Sequence, residues 1–107
     1  RFRAILERYP RVRLILGHCG GRLEGMREAI DLMNEFPNCY ADISGDSWLM
    51  GQLGWLCRKT DPNRILFGTD LNWIEPRYVL GHVLMSDVPE EIKIRILRLN
   101  AQELFGL

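Results

Sequence analysis

The sequence predicts an α/β protein with three parallel β-strands, and three observations support this fold class. Apolar segments of strand length occupy residues 12–17, 39–44 and 65–69. Segments with helical spacing of apolar residues lie between them and around them. Strands that alternate with helices form βαβ units, in which the strands run parallel. The first strand segment also contains three consecutive apolar residues, which is typical of a parallel strand buried on both faces.

The helices are predicted from apolar residues that recur three or four positions apart. Pro10 ends the first helix, because proline cannot continue it. Asp46 or Ser47 is the expected N-cap of the third helix. Asn100 and Glu103 have the spacing of a capping box and predict the start of the last helix. The predicted helices cover residues 2–9, 23–36, 48–57 and 78–85, a helix that starts within 86–91, and 100–106.

A sheet of three sequential parallel strands is incomplete on its own. Right-handed crossovers place every helix on the same face, so the other face of the sheet stays uncovered and both edges stay unpaired. Two architectures solve this problem: a doubly wound three-layer domain, or a closed eight-stranded (β/α) barrel of which the chain is an arc. Each βα unit spans roughly 25 to 30 residues, close to the barrel average. We therefore predict the barrel arc, with three parallel strands and helices on one face.

Composition narrows the possible functions. The chain has 107 residues, 47% of them hydrophobic, and its 14 basic and 14 acidic side chains cancel. No basic patch predicts nucleic-acid or membrane binding, and no apolar run is long enough to cross a bilayer. Three cysteines without a Cys-x-x-Cys spacing predict reduced thiols rather than disulfides. We therefore expect a soluble, cytoplasmic protein. We also expect it to be a fragment of a longer one, because the sequence begins at Arg1 rather than at a methionine.

Polar side chains stand at the carboxyl end of each predicted strand: His18, Asp42 or Ser44, and Asp70. Catalytic residues of (β/α) barrels occupy these positions. His18 is predicted to act as a metal ligand or general acid/base, with a histidine held by a backbone carbonyl as the alternative. Asp70 is predicted to bind a metal and accept a proton, with a helix N-cap as the alternative. Two ligands are too few for catalytic zinc, so the others must come from elsewhere.

Other residues near the strand ends have a structural role as the default. Gly20 and Gly21 precede a helix and form either an anion site or a plain turn, of which we expect the turn. Cys19 has no evident base nearby and is expected to be a packing residue. Trp48 and Trp73 either line a pocket or belong to the core. Arg77 either pairs with a substrate carboxylate or is solvated at the surface. His82 is expected to have no catalytic role.

Four segments together carry a family resemblance. They are Leu-Ile-Leu-Gly-His-Cys-Gly-Gly at 14–21, Cys-Tyr-Ala-Asp-Ile-Ser-Gly at 39–45, Arg-Ile-Leu-Phe-Gly-Thr-Asp at 64–70 and Asn-Ala-Gln-Glu-Leu-Phe-Gly-Leu at 100–107. In this order and spacing the chain resembles the carboxyl-terminal part of the amidohydrolase-related branch of the metal-dependent hydrolase superfamily. The resemblance covers nearly all of residues 1–107, which would be a single partial domain: the last three βα units of the barrel.

The resemblance implies roles for two residues. Asp70 would match the strand-eight aspartate that ligates the metal, or serves as base in metal-free relatives. His18 would match the strand-six histidine that orients water on the metal or polarises the substrate, which makes Asp70 the true ligand of the pair. The strand-one His-x-His pair and the strand-five histidine of the family have no counterpart in this chain. The implied cofactor is a divalent ion, expected to be zinc, in the intact enzyme.

Two functions remain open from the sequence. The first is a fragment of a metal-dependent hydrolase or decarboxylase that acts on a small, carboxylate-bearing and often aromatic substrate, as members of the resembling branch do. We expect the isolated chain to be inactive and to need the missing amino-terminal half of the barrel or further copies of itself. The second is a non-catalytic half-barrel module that self-associates to cover its open sheet face.

Overall fold

A computed structural model describes all 107 residues, with three strands and six α-helices in βα order. The strands are β1 (Leu14–Leu16), β2 (Cys39–Asp42) and β3 (Ile65–Leu66). The helices are α1 (Phe2–Arg8), α2 (Leu23–Glu35), α3 (Gln52–Lys59), α4 (Pro76–Leu84), α5 (Glu90–Ile94) and α6 (Asn100–Phe105). Short 3₁₀ turns cover Gly17–Gly20 and Pro62–Arg64, and a π-helical turn covers Arg95–Leu99.

The three strands form one parallel sheet in the sequential order β1-β2-β3. This order places the connecting helices on one face, because parallel crossovers are right-handed. It excludes the doubly wound alternative, whose sheet reverses its strand order at a switch point. The predicted fold class, three parallel strands with helices on one face, is therefore confirmed.

Side chains of β2 alternate between the two faces of the sheet. Cys39 and Ala41 are fully buried and belong to the hydrophobic core under the helices. Tyr40 and Asp42 are half-buried on the opposite face, where Ile15 is the register partner of Tyr40. Because strand side chains alternate with period two, every second residue of β2 points away from the helices. Asp42 thus reaches the open face at the carboxyl edge of the sheet.

All three strands end earlier than predicted, and β1 also begins two residues later, at Leu14. For β1 and β3 a local reason explains the early end. β1 ends at Leu16 because the chain turns at once into the 3₁₀ segment. β3 ends at Leu66 because the backbone N–H of Phe67 donates to the carbonyl of Ile96 instead of to a strand. These early endings leave residues 17–20 and 67–70 free of sheet geometry at the edge where the candidate residues lie.

The start of α3 differs from the prediction. Gly51, with φ of 78°, is the N-cap, and neither Asp46 nor Ser47 caps the helix. The Ser47 hydroxyl instead donates to the carbonyl of Gly21, 3.1 Å away. The residues between Ser47 and Gly51 form a loop. The first residue of α3 holds this loop, because Gln52 Oε1 accepts a hydrogen bond from the backbone N–H of Leu49 at 2.7 Å. α4 begins two residues earlier than predicted, since Glu75 accepts from the N–H of Arg77 as its N-cap.

Asn100 does not begin a separate helix, as the capping-box spacing predicted. Helical backbone runs through α5, the π-helical turn and α6 without a break. The Asn100 amide is 2% exposed and donates to the carbonyls of Pro62 and Ile65, at 2.8 and 2.7 Å. Its side chain therefore anchors the last helices against the start of β3.

We expect Asn100→Ala to lower the free energy of unfolding by about 2–3 kcal/mol, because it leaves the buried carbonyl of Ile65 and the partly buried carbonyl of Pro62 without this donor. The matched control is Asn34→Ala, whose amide donates to the carbonyl of Lys59 at an exposed position. That control should cost less than about 1 kcal/mol. Denaturant unfolding measures both changes, and equal costs for the two variants would contradict the anchoring role of Asn100.

None of the helices combines the length and the apolar character needed to cross a bilayer.

Candidate active site

The predicted site residues lie together at the carboxyl edge of the sheet. His18 follows β1, Asp42 ends β2 with Ser44 just beyond it, and Asp70 follows β3. Parallel strands end at the same edge, so their terminal side chains converge. Contacts among the four side chains connect all three strand ends.

The backbone at this edge adopts a conformation that only glycine takes readily. His18, Cys19 and Asp70 have φ of 53°, 48° and 59°, and they are the only non-glycine residues of the chain with positive φ. Such residues cost about 1–3 kcal/mol each and cluster at functional sites. The surrounding packing must offset this cost. The strain therefore marks the same edge as the polar side chains, and two of the three residues are the predicted catalytic pair.

Asp70 does not cap the helix that follows it, which was the alternative to a functional role. Its backbone carbonyl closes a turn by accepting from the N–H groups of Trp73 and Ile74, at 2.9 and 3.0 Å. Glu75 supplies the N-cap of α4 instead. The Asp70 carboxylate is left 31% exposed and free to bind other groups.

His18 stands between Asp70 and the end of β2. Its Nε2 lies 4.0 Å from Oδ2 of Asp70, and 45% of its side chain is exposed. Its Nδ1 lies 2.8 Å from the hydroxyl oxygen of Ser44. Nε2 therefore faces Asp70 on the exposed side of the ring, and Nδ1 is held by the Ser44 hydroxyl group on the other side.

Ser44 is in turn held by Asp42. The Ser44 backbone N–H donates to Asp42 Oδ1 at 2.8 Å, and the Ser44 hydroxyl makes a short hydrogen bond to the same oxygen. The backbone N–H of His18 points at this oxygen as well, at 3.4 Å. Ser44 is 7% exposed. Asp42 Oδ1 is thus the common acceptor that joins the ends of β1 and β2.

Two glycines allow this close arrangement. A Cβ at Gly45 would lie 2.9 Å from Nδ1 of His18, and Gly45 has φ of 94°. A Cβ at Gly68 would lie 3.1 Å from Cβ of Ser44 and 3.4 Å from Asp42 Oδ1. Sequence reasoning missed their role, although each follows a strand end closely, which is the signal that could have revealed it.

The Gly20-Gly21 pair makes a close backbone contact. A Cβ at Gly20 would lie 2.3 Å from the carbonyl oxygen of Gly25, and one at Gly25 would lie 2.0 Å from the carbonyl oxygen of Gly20. Positive φ of 80° and 83° at Gly20 and Gly21 turns the chain into α2. The expected plain turn therefore accounts for both glycines.

The other candidates differ in how far they are buried. Trp48 is buried and its ring centroid lies 5.5 Å from that of His82. Arg77 is 85% exposed and pairs with Glu75 at 3.0 Å. Trp73 belongs to neither a pocket nor the core, since it is 87% exposed. The turn at Asp70 explains its exposure, because the next residue, Ile74, is the one that packs against the core.

Cys19 and Cys39 are fully buried, and Cys57 is half-buried. Burial raises the pKa of Cys19 to about 12 and that of Cys57 to about 11, and it also raises the pKa of Cys39. The thiolate is the reactive form of cysteine. None of the three is thus suited to nucleophilic catalysis at neutral pH, in agreement with the packing role expected for Cys19.

We expect Cys19 to react with a thiol reagent at pH 8 about a thousandfold more slowly in the native protein than after denaturation. A pKa near 12 leaves about one thiol in ten thousand ionised at this pH. Because thiolate forms as protons leave, the native rate should rise about tenfold for each pH unit. Colourimetric thiol titration measures this, and rapid native modification of Cys19 would contradict the burial described above.

The donor atoms of this edge fit part of a metal site. Aspartate oxygen and histidine nitrogen are both ligands of zinc and related divalent ions. The chain supplies two such side chains, Asp70 and His18, and contains no group of three or more His, Cys, Asp or Glu placed to hold a metal ion. A catalytic centre usually has three protein ligands. Asp70 can therefore contribute to a metal centre only together with ligands from outside this chain.

Comparison with known proteins identifies similar structures. A protein-family model described as Amidohydrolase matches residues 2–107. With a TM-score of 0.76, the fold matches 2,6-dihydroxybenzoate decarboxylase complexed with 2,6-dihydroxybenzoate, at 25% identity over 96% of this chain and 37% of that one. It matches an amidohydrolase II with a TM-score of 0.71, at 25% identity over 97% and 38% of the two chains.

A third similar structure is dihydroxybenzoic acid decarboxylase from Polaromonas sp. JS666, with bound manganese and the inhibitor 2-nitroresorcinol. Its TM-score is 0.73, at 23% identity over 96% of this chain and 36% of that one. No sequence among the curated proteins matches the chain. The chain spans just over a third of the length of the solved structures, so its three strands are part of a (β/α) barrel.

Proposed function

The chain belongs to the amidohydrolase family, and from this premise we propose that it forms the last three βα units of a barrel enzyme that hydrolyses or decarboxylates a small carboxylate-bearing substrate. The observation that carries this proposal is the convergence of His18 and Asp70, 4.0 Å apart, on strained backbone at the carboxyl edge of the sheet. Catalytic residues of (β/α) barrels occupy this edge. Strain at both residues is retained where function requires it.

Aromatic carboxylates are the substrate class we propose. The 25% identical structure is a decarboxylase complexed with 2,6-dihydroxybenzoate, an aromatic acid with hydroxyl groups beside the carboxylate. His18 and Asp70 are 45% and 31% exposed, so a molecule of this size can reach both. Decarboxylation is the first reaction to test, and hydrolysis of a small ester or lactone is the second.

Asp70 is proposed to hold a divalent ion together with histidines from the part of the barrel outside this chain. Zinc is the ion that the sequence resemblance implies, and manganese is bound in one structural neighbour. Such an ion polarises a carboxylate or carbonyl oxygen and lowers the pKa of bound water. Asp70 would accept and return the proton of the reaction, and His18 would position the reacting group through Nε2.

A decarboxylation assay tests this function. The protein is loaded with zinc or manganese together with the rest of its barrel, and carbon dioxide release from 2,6-dihydroxybenzoate is measured. We expect turnover with one of the ions and its loss on chelation. Absence of both decarboxylation and lactone hydrolysis with either ion would contradict the proposal.

The open sheet edges support a second candidate, the non-catalytic half-barrel that self-associates. β1 and β3 each have a single strand neighbour, so each leaves one edge unpaired. Exposed strand edges favour pairing with another chain. Metal analysis and size-exclusion chromatography of the purified chain separate the two functions. A stoichiometric metal in a monomer would exclude the module, and a metal-free homo-oligomer would exclude independent catalysis.

A further inference from the structure

We propose that Asp42 and Ser44 are positioning residues that hold His18 with its proton on Nδ1, so that the lone pair of Nε2 faces the site shared with Asp70. This inference rests on the proposed function, because it specifies which ring nitrogen His18 presents to the substrate and whether that nitrogen carries a proton. The observation that supports it is a continuous chain of hydrogen bonds from Asp42 through Ser44 to His18.

The direction of these hydrogen bonds follows from counting protons. An ionised carboxylate only accepts hydrogen bonds, and a serine hydroxyl has one proton to donate. Asp42 Oδ1 takes that proton from Ser44, in addition to the Ser44 backbone N–H at 2.8 Å. The Ser44 oxygen is then left as an acceptor toward His18 Nδ1, 2.8 Å away. Nδ1 must carry the hydrogen, and a neutral imidazole then has a bare Nε2.

The packing around this chain of hydrogen bonds holds it in one arrangement. Ser44 is 7% exposed, so water does not compete freely for its hydroxyl. A side chain at Gly45 would meet Nδ1 of His18 at 2.9 Å, and one at Gly68 would meet Cβ of Ser44 at 3.1 Å. Residues at both places therefore have to be small for His18 and Ser44 to stay in contact.

The consequence for the reaction is a preference for a hydrogen-bond donor. A neutral His18 with a bare Nε2 accepts a hydrogen bond or a proton and cannot donate one. The substrate group or water that meets it must therefore carry a hydrogen, as a hydroxyl group does. A bare carboxylate oxygen of the substrate would not be held by neutral His18 and would have to find its partner elsewhere in the site.

Nitrogen-15 NMR of the imidazole rings tests the tautomer directly. Protonated and bare ring nitrogens resonate far apart, and the chain has two histidines, His18 and His82, so the signals are few. The spectra are recorded at a pH where both rings are neutral. We expect His18 to show a protonated Nδ1 and a bare Nε2 in the unsubstituted protein. A His18 that carries its proton on Nε2 would overturn the proposal without the need for any variant.

Variants then test the two positioning residues. Ser44→Ala removes the acceptor at Nδ1, and Asp42→Ala frees the Ser44 hydroxyl to donate to Nδ1, so both should shift the proton to Nε2. Ser86→Ala is the matched control, since its hydroxyl donates to the carbonyl of Val83 at 2.7 Å and is remote from the site. The signals of His82 should stay unchanged in folded Ser44→Ala and Asp42→Ala. An unchanged His18 tautomer in folded Ser44→Ala would overturn the proposal.

Kinetics of the metal-loaded enzyme give a second readout. Ser44→Ala should lower kcat by about 10- to 100-fold with little change in KM, because the ring that meets the reacting group is no longer held in one orientation. The NMR result needs neither metal nor turnover. A correct tautomer in an inactive protein would therefore reject the proposed function alone, and the wrong tautomer in an active protein would reject only the positioning role.

Discussion

Replacing Asp70 with Asn is expected to lower kcat of the metal-loaded enzyme by about 10²- to 10⁴-fold, the range typical of a lost acid/base group. Asn has almost the same shape as Asp and tolerates the left-handed backbone found at Asp70. The substitution therefore removes charge and basicity while it preserves the fold. A further part of the loss should come from weaker metal binding, which metal titration of the variant would measure separately.

The matched control for this prediction is Asp87→Asn. Asp87 pairs with Arg58 at 3.3 Å on the surface, where both side chains are about 60% exposed. The control should keep full activity and lose less than about 1 kcal/mol of stability. Steady-state kinetics at saturating metal concentration compares kcat of the two variants. An Asp70→Asn enzyme as active as the control would show that Asp70 neither binds the metal nor moves a proton.

Gly25→Ala is expected to be strongly destabilising, with a loss of about 3 kcal/mol in the free energy of unfolding. Its Cβ would lie 2.0 Å from the carbonyl oxygen of Gly20, and backbone cannot rotate away as a side chain can. Either α2 or the turn that carries His18 must shift. Because Gly20 is two residues from His18, we expect lower activity in the folded fraction as well.

Two other helical glycines serve as controls for the same change. Gly81 lies within α4, and a Cβ there would meet no atom within 4 Å, so Gly81→Ala should stabilise the protein by about 0.5–1 kcal/mol. A Cβ at Gly54 would meet Oδ1 of Asp87 at 2.2 Å, but this is the end of a flexible, exposed side chain that can move. The free energy of unfolding, measured with denaturant, should be highest for Gly81→Ala, lower for Gly54→Ala and lowest for Gly25→Ala. A Gly25→Ala protein as stable as the others would contradict the backbone contact.

Local sequence signals predicted most of the fold. The apolar run from Leu14 to Leu16 and the helical spacing in α2 depend on neighbouring residues, and the structure confirms the parallel sheet that they predict. The family resemblance, drawn from four short motifs in one order, is also confirmed over residues 2–107. The capping-box spacing predicts the wrong role for Asn100, because the partners of its side chain are 35 and 38 residues away, where no local rule can detect them.

The candidate site was predictable in its location and less so in its connections. The sequence singles out His18 and Asp70 because each lies at the end of a predicted strand, and the structure brings the two side chains within 4.0 Å. The contact between His18 and Ser44 spans 26 residues and depends on the register of β1 against β2. The sequence leaves open whether Asp42 or Ser44 is the polar side chain that the second strand brings to the site. In the structure both take part, in one chain of hydrogen bonds. Sequence patterns cannot fix such a contact, because it exists only after the sheet has formed.

The central claim is that Asp70 and His18 form one side of a metal-dependent active site at the carboxyl edge of the sheet. Anomalous diffraction from crystals of the metal-loaded protein tests it most directly. We predict an anomalous peak about 2.0–2.2 Å from a carboxylate oxygen of Asp70, on the side that Nε2 of His18 faces. A peak bound elsewhere, with Asp70 outside the coordination sphere, would contradict the claim.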